Sequence, residues 1–242
     1  MKTTDRTEIK LVHTRSHEIL DQDADGFGRL KPSAAALIMQ DLAQSHTAEY
    51  GDSQPQLYLR GAVWVLARTR ATFTRLPFSG ESLTVTTWPG KTVRSLFPRY
   101  YTFAVGEEKV GAAVTFWTLV DTEKHEMTDP ESRGVYVAGE PALPAPFENP
   151  PRLREKGEPL FETARRCCYS DIDRNRHMNN ARYVEWLCDV LSPETTPSGF
   201  QVNYLSEIRE ADEVRLLVYE NDLVVGVRPD GVRAFEGRLE YR

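Results

Sequence analysis

Three cysteines in 242 residues are too few and too awkwardly spaced for a disulfide framework. Cys167 and Cys168 are neighbours that face opposite sides of any strand, and Cys188 stands alone. No apolar run approaches the roughly 18 residues of a membrane helix. The opening MKTTDRTEIK lacks the apolar centre of a secretory signal. Positive charge is in deficit: 30 Lys and Arg against 36 Asp and Glu leave a formal net charge of −6, so the whole chain has no attraction for nucleic acid. These absences lead us to expect a cytoplasmic protein with free thiols and no membrane span. The remaining composition, 40% apolar and 27% charged, is that of a globular chain with enough residues to bury a sizeable core.

Proline punctuates the middle of the chain. Residues 129–159, DPESRGVYVAGEPALPAPFENPPRLREKGEP, hold no sustained apolar period and read as an extended connector. It separates residues 1–128 from residues 160–242. The first half opens with a strand at 13–20, then the polar turn DQDADGFG. A helix is expected over 32–50, with Pro32 in its first turn and Gly51 at its end. Its nearly all-round apolar character marks it as buried. Strands are expected over 62–75, 82–88, 95–105 and 109–121, the first alternating cleanly from Val63 to Ala71. The second half repeats the order: a strand at 160–169, a helix at 180–191, then strands at 200–208, 213–220, 223–228 and 232–241. Asp23-Ala-Asp25 falls where Asp171-Ile-Asp173 falls. This is a duplication of a whole α+β unit, each a long helix that must bury its face against an antiparallel meander.

The stretch YSDIDRNRHMNNARYVEWLCDVL, residues 169–191, concentrates the chemistry. Asp173, Asn175 and His177 alternate, and in an extended segment residues two apart share a side. A carboxylate, an amide and an imidazole would then face one pocket. The helix behind them adds unpaired N–H groups at residues 178–180 that favour a developing negative charge. This set suits attack of water on an acyl group. A helix cap needs only one of these polar groups.

Competing chemistries fail on spacing. DQDADG copies the opening of a calcium loop, but Pro32 occupies the place of the bidentate Glu. Cys167, Cys168 and His177 lack zinc-ligand spacing. None of the cysteines has a local helix N-terminus or histidine to activate it. No metal or other cofactor is expected.

DIDRNRHMNNARYVEW resembles the D-x-D-x-N-x-H-x-N-N-x-x-Y-x-x-W signature of plant and bacterial acyl-acyl carrier protein thioesterases. LARTRATFTRLPFSGESLTVTTWPG and LKPSAAALIMQDLAQSHTAEYG resemble first-half segments of the same family. The resemblance implies an α+β double hot-dog fold, with antiparallel sheet wrapped around two central helices. The halves would be an acyl-chain half (1–128) and a catalytic half (160–242). It implies hydrolysis of fatty acyl thioesters on the phosphopantetheine of acyl carrier protein. The catalytic set carried over is Asp173, Asn175, His177 and, in the strand after the second helix, Glu207, with Glu210 as the fallback. The family's Y-R-R-E-C context reads YLSEI here, which removes the neighbouring cysteine. Met39, Leu42 and Trp64 are the expected chain-lining residues. Arg165, Arg166, Arg174, Arg176 and Arg182 are the expected docking surface for an acidic carrier. A fused pair already supplies both hot-dog units, so a monomer or homodimer is expected. An acyl-CoA thioesterase on the same fold and a non-catalytic acyl-binding protein are the alternatives.

Overall fold

The computed structural model describes residues 10–146 and 149–241. The first half contributes β1 (His13–Glu18), α1 (Pro32–Glu49), α2 (Gln54–Leu59), β2 (Ala62–Phe73), β3 (Ser82–Pro89), β4 (Phe97–Val105) and β5 (Glu108–Asp121). The second contributes β6 (Phe161–Arg166), α3 (Asn180–Leu191), β7 (Gly199–Tyr204), β8 (Glu213–Tyr219), β9 (Leu223–Val227) and β10 (Arg233–Glu240). All ten strands form one sheet in the order β1-β3-β4-β5-β2-β7-β10-β9-β8-β6. The order of the first five is repeated in reverse by the last five. The two half-sheets meet where β2 pairs antiparallel with β7, from Arg68 opposite Asn203 to Thr72 opposite Gly199. This is the double hot-dog architecture that the resemblance implies.

The core explains the two helices. α1 buries Ala34, Ala35, Ala36, Met39, Leu42, Ala43 and His46, and its small residues let it lie close to the sheet. α3 is more amphipathic: Ala181, Tyr183, Val184, Trp186 and Leu187 face inward. α1 and α3 pack against each other, and one apolar cluster runs through both halves, from Phe73 and Phe103 to Phe200 and Phe235. Close approach of α3 to β10 needs a glycine. A Cβ on Gly237 would stand 2.6 Å from Leu187 Cδ1. The start of α3 is set by Asn179, whose side chain accepts the Ala181 N–H at 2.9 Å.

Three local expectations are corrected. α2 was not anticipated, although Ser53 and Gln56 form a capping box around Pro55. The strand expected to reach residue 208 ends at Tyr204. Both amides that follow, of Leu205 and Ser206, turn back to the Ala234 carbonyl. Glu207 therefore lies in a loop. Residues 173–177 are also not extended: the Asp173 N–H donates to the His177 carbonyl at 2.9 Å, and Arg176 has a left-handed φ of 65°. The connector lies against the sheet, its Pro151 carbonyl accepting Gln201 Nε2 at 2.8 Å.

Candidate active site

The turn that carries Asp173 exists twice. In the second half, Asp173 Oδ1 accepts the Asn175 N–H at 2.7 Å and the Asp173 carbonyl accepts the Arg176 N–H at 3.0 Å. In the first half, Asp25 Oδ1 accepts the Phe27 N–H at 2.8 Å and the Asp25 carbonyl accepts the Gly28 N–H at 2.9 Å. Asp171 and Asp23 close the preceding turns alike, accepting the Cys168 and Leu20 amides. One oxygen of Asp173 is therefore scaffold. The copies differ at the candidate positions: Asn175 stands in place of Phe27, and His177 in place of Arg29.

Asn175 is held from both sides. Its Nδ2 donates to Asp173 Oδ2 at 3.3 Å, and its Oδ1 accepts Gln54 Nε2 at 2.5 Å. Gln54 begins α2, so the first half clamps a side chain of the second across 121 positions. Asp173, Asn175 and Gln54 line a cavity of about 540 Å³. Its other walls come from the second half of α1, from Trp64, Phe97, Arg99 and Trp117 on the sheet, and from Tyr136 in the connector. Arg174 and Asn180 lie on it too.

His177 takes a different partner. Its Nε2 lies 3.0 Å from Glu207 Oε2, joining residues that the chain separates by a helix and a strand. This pair is outside the cavity wall, and the Glu207 side chain is 56% exposed. The four expected residues thus form two pairs, Asp173 with Asn175 and His177 with Glu207, not one convergent row. The amides at the start of α3 are also partly used. Met178 donates to the Ile208 carbonyl and Asn179 to the Asp171 carbonyl, each at 2.8 Å. Asn180, the first residue of α3, lines the cavity.

Residues 10–131 match the family model of the acyl-ACP thioesterase N-terminal domain, and residues 156–228 match that of the C-terminal domain. The chain belongs to the acyl-ACP thioesterase family. It is similar to a chloroplastic acyl-[acyl-carrier-protein] hydrolase of Cuphea viscosissima, 25% identical over 171 residues. That match covers 64% of this chain and 41% of that protein. The chain spans well under half the length of two such curated relatives that it matches. Among solved structures, it is similar to an acyl-ACP thioesterase of Bacteroides thetaiotaomicron, with a TM-score of 0.83, 22% identity, and coverage of 96% of this chain and 98% of that one. A 12:0-ACP thioesterase from Umbellularia californica gives a TM-score of 0.77 at 20% identity, covering 96% and 98%. At these identities the structural likeness supports the fold.

In this family member the remaining expected residues separate clearly. Trp64 lines the cavity and stacks edge-on against Phe97, with ring centroids 5.0 Å apart. Met39 and Leu42 are almost fully buried in the core and do not reach the cavity, because α1 turns that face inward. Arg165 is engaged with Asp189 and the Trp186 ring, and Arg182 with Glu185. Arg166 is exposed at the end of β6, and Arg174 and Arg176 are exposed on the turn. Burial pushes the Cys167 and Cys188 thiols up to about 12, so both stay protonated near neutral pH and are poor nucleophiles. The acidic run at residues 21–26 is spent on the fold: Asp21 accepts the Ser79 hydroxyl, and Asp23 and Asp25 cap turns. Gln54 escaped sequence reasoning. The capping box and Pro55 announce its helix, but nothing local announces its contact with Asn175.

Proposed function

We propose that this chain hydrolyses the thioester of a fatty acyl group carried on the phosphopantetheine of acyl carrier protein, releasing the free acid. The observation that carries this reading is the Asp173–Asn175–Gln54 chain of hydrogen bonds on the wall of the cavity. Asp173 Oδ2 is the base, because Oδ1 is committed to the turn and Glu207 is already held by His177. A water on Asp173 attacks the carbonyl carbon and gives its proton to Oδ2. The second N–H of Asn175 and the Asn180 amide face the oxyanion. Collapse breaks the carbon–sulfur bond, and the departing thiolate takes the proton back from Asp173. The His177–Glu207 pair supports the turn electrostatically from behind. A direct attack by Asp173, giving a mixed anhydride, uses the same geometry.

The carrier is read from charge. Arg166, Arg174 and Arg176 lie exposed around the entrance turn of a chain that is acidic overall, which favours an acidic partner at that face. Three free cysteines fit a reducing compartment, and the cytoplasm is part of this reading. Among the described residues, no helix is long and apolar enough to cross a membrane.

The test is thiol release from acyl-carrier-protein and matched acyl-CoA thioesters. Asp173→Asn keeps the turn-capping oxygen and removes the base. We expect it, and Asn175→Ala, to lower kcat by about 10²-fold or more, in the range of lost bases and oxyanion donors. Near-normal turnover in both variants overturns the assignment. Faster hydrolysis of the CoA thioester favours the acyl-CoA reading.

A further inference from the structure

The cavity holds a positive charge that no carboxylate among the described residues pairs with. Arg99 on β4 is 7% exposed and lines the cavity wall. Its Nη1 donates to His46 Nδ1 at 2.9 Å and to Thr87 Oγ1 at 3.4 Å. Both acceptors are neutral. His46 Nε2 lies 2.7 Å from the Lys10 carbonyl, so the ring is the Nε2–H tautomer with Nδ1 open to receive the guanidinium. Tyr50 packs beside it, and burial pushes its phenol up, so it supplies no negative charge. Among the described residues, the carboxylates on neighbouring elements are held by other partners or exposed. Asp52 accepts from Arg60 at 2.7 Å and from the Tyr136 N–H at 2.9 Å. Glu49 is 3.1 Å from His13. Asp41 lies at the exposed rim. Among the described residues, no carboxylate forms an ion pair with Arg99.

A buried guanidinium without a counter-charge is costly, and buried charges are otherwise paired. A purely apolar chain laid in this cavity would bury Arg99 further and worsen the cost. An anionic group there would remove it through a charge-assisted bond.

We propose that Arg99 receives a carboxylate at the far end of the bound acyl group, so that the preferred substrates are thioesters of ω-carboxyacyl chains. This rests on the thioesterase reading for its kinetics but not for its binding. Arg99 stands on the sheet wall, with Thr87 and Tyr101 around it. The Asp173 turn belongs to the other half of the chain and lines the same cavity.

Two measurements test it. The first is calorimetric binding of two non-hydrolysable acyl-pantetheine amides of equal chain length, one ending in methyl and one in carboxylate. The wild type is expected to bind the carboxylate form at least about tenfold more tightly, because a site built for a polar group rejects the analogue lacking it. Arg99→Met, which keeps much of the stem, is expected to reverse that order. Arg99→Lys is expected to retain part of it. Equal or tighter binding of the methyl form by the wild type overturns the proposal. So does an unchanged ratio in Arg99→Met, or competition by inorganic phosphate as effective as the carboxylate ligand. The second measurement is the ratio of kcat/KM on the corresponding carrier-protein thioesters, expected to follow the binding ratio. Failure to hydrolyse either thioester, with the binding preference intact, sinks the thioesterase reading and leaves the anion site standing.

Discussion

Acid should destabilise this protein through His46. The ring is fully buried, and burial lowers its pKa from 6.5 to about 4, with the Arg99 charge acting in the same direction. The Lys10 carbonyl opposes this but does not prevail. Because the unfolded chain binds the proton at 6.5 and the folded chain resists it until about 4, the unfolded state holds more protons between these values. Stability must therefore fall as pH drops through that window and be fully restored above it. Linkage gives a loss of about 2 kcal/mol at pH 5 and about 3 kcal/mol at pH 4 relative to neutral pH. The assay is urea unfolding from pH 4 to pH 8 for the wild type and His46→Gln, whose amide oxygen still accepts from Arg99. Carboxylates titrate in both proteins, so the difference between the curves isolates the imidazole. We expect the wild type to lose about 2 kcal/mol more than the variant on going from pH 8 to pH 5. Parallel loss in the two proteins would falsify a neutral, buried His46.

Gln54→Ala frees the Asn175 carbonyl and should lower kcat about tenfold, the worth of roughly 1.4 kcal/mol, while the half-buried position leaves the melting temperature nearly unchanged. Normal kcat in this variant rules out the clamp across the halves. His177→Gln and Glu207→Gln should each slow turnover, and the double variant should be little worse than the poorer single one, because the two act as a unit at 3.0 Å. Multiplying effects would mean that they work separately. Activity on the carrier-protein substrate should fall with rising ionic strength far more than activity on a short neutral thioester. Equal salt dependence would remove Arg166, Arg174 and Arg176 from docking.

Much of this architecture is local and was legible before any coordinates. The helix 180–191 was read to its ends because Asn179 caps it and its apolar spacing is strong. The start of α1 was set by Pro32. The duplicated strand–helix–strands order and the repeated Asp-x-Asp turn pointed to two fused units, and the two turns use matching hydrogen bonds. The errors have separate causes. Spacing of two puts side chains on one side only in an extended backbone. The left-handed Arg176 closes a tight turn instead, and it sends His177 away from Asp173. Met39 and Leu42 sit on a helix that is apolar nearly all round, so sequence could not tell the face toward the core from the face toward the cavity.

The sequence by itself determined the elements, their caps and turns, the duplication, and the residue types of the site, because these depend on neighbours within a few positions. Only the tertiary structure decided which distant groups meet: Gln54 with Asn175, His177 with Glu207, and Arg99 with His46. The physical reason is that these contacts follow from the antiparallel register of the sheet and from the junction of β2 with β7. That arrangement brings together segments more than a hundred positions apart in the case of Gln54 and Asn175, and no short-range pattern records it.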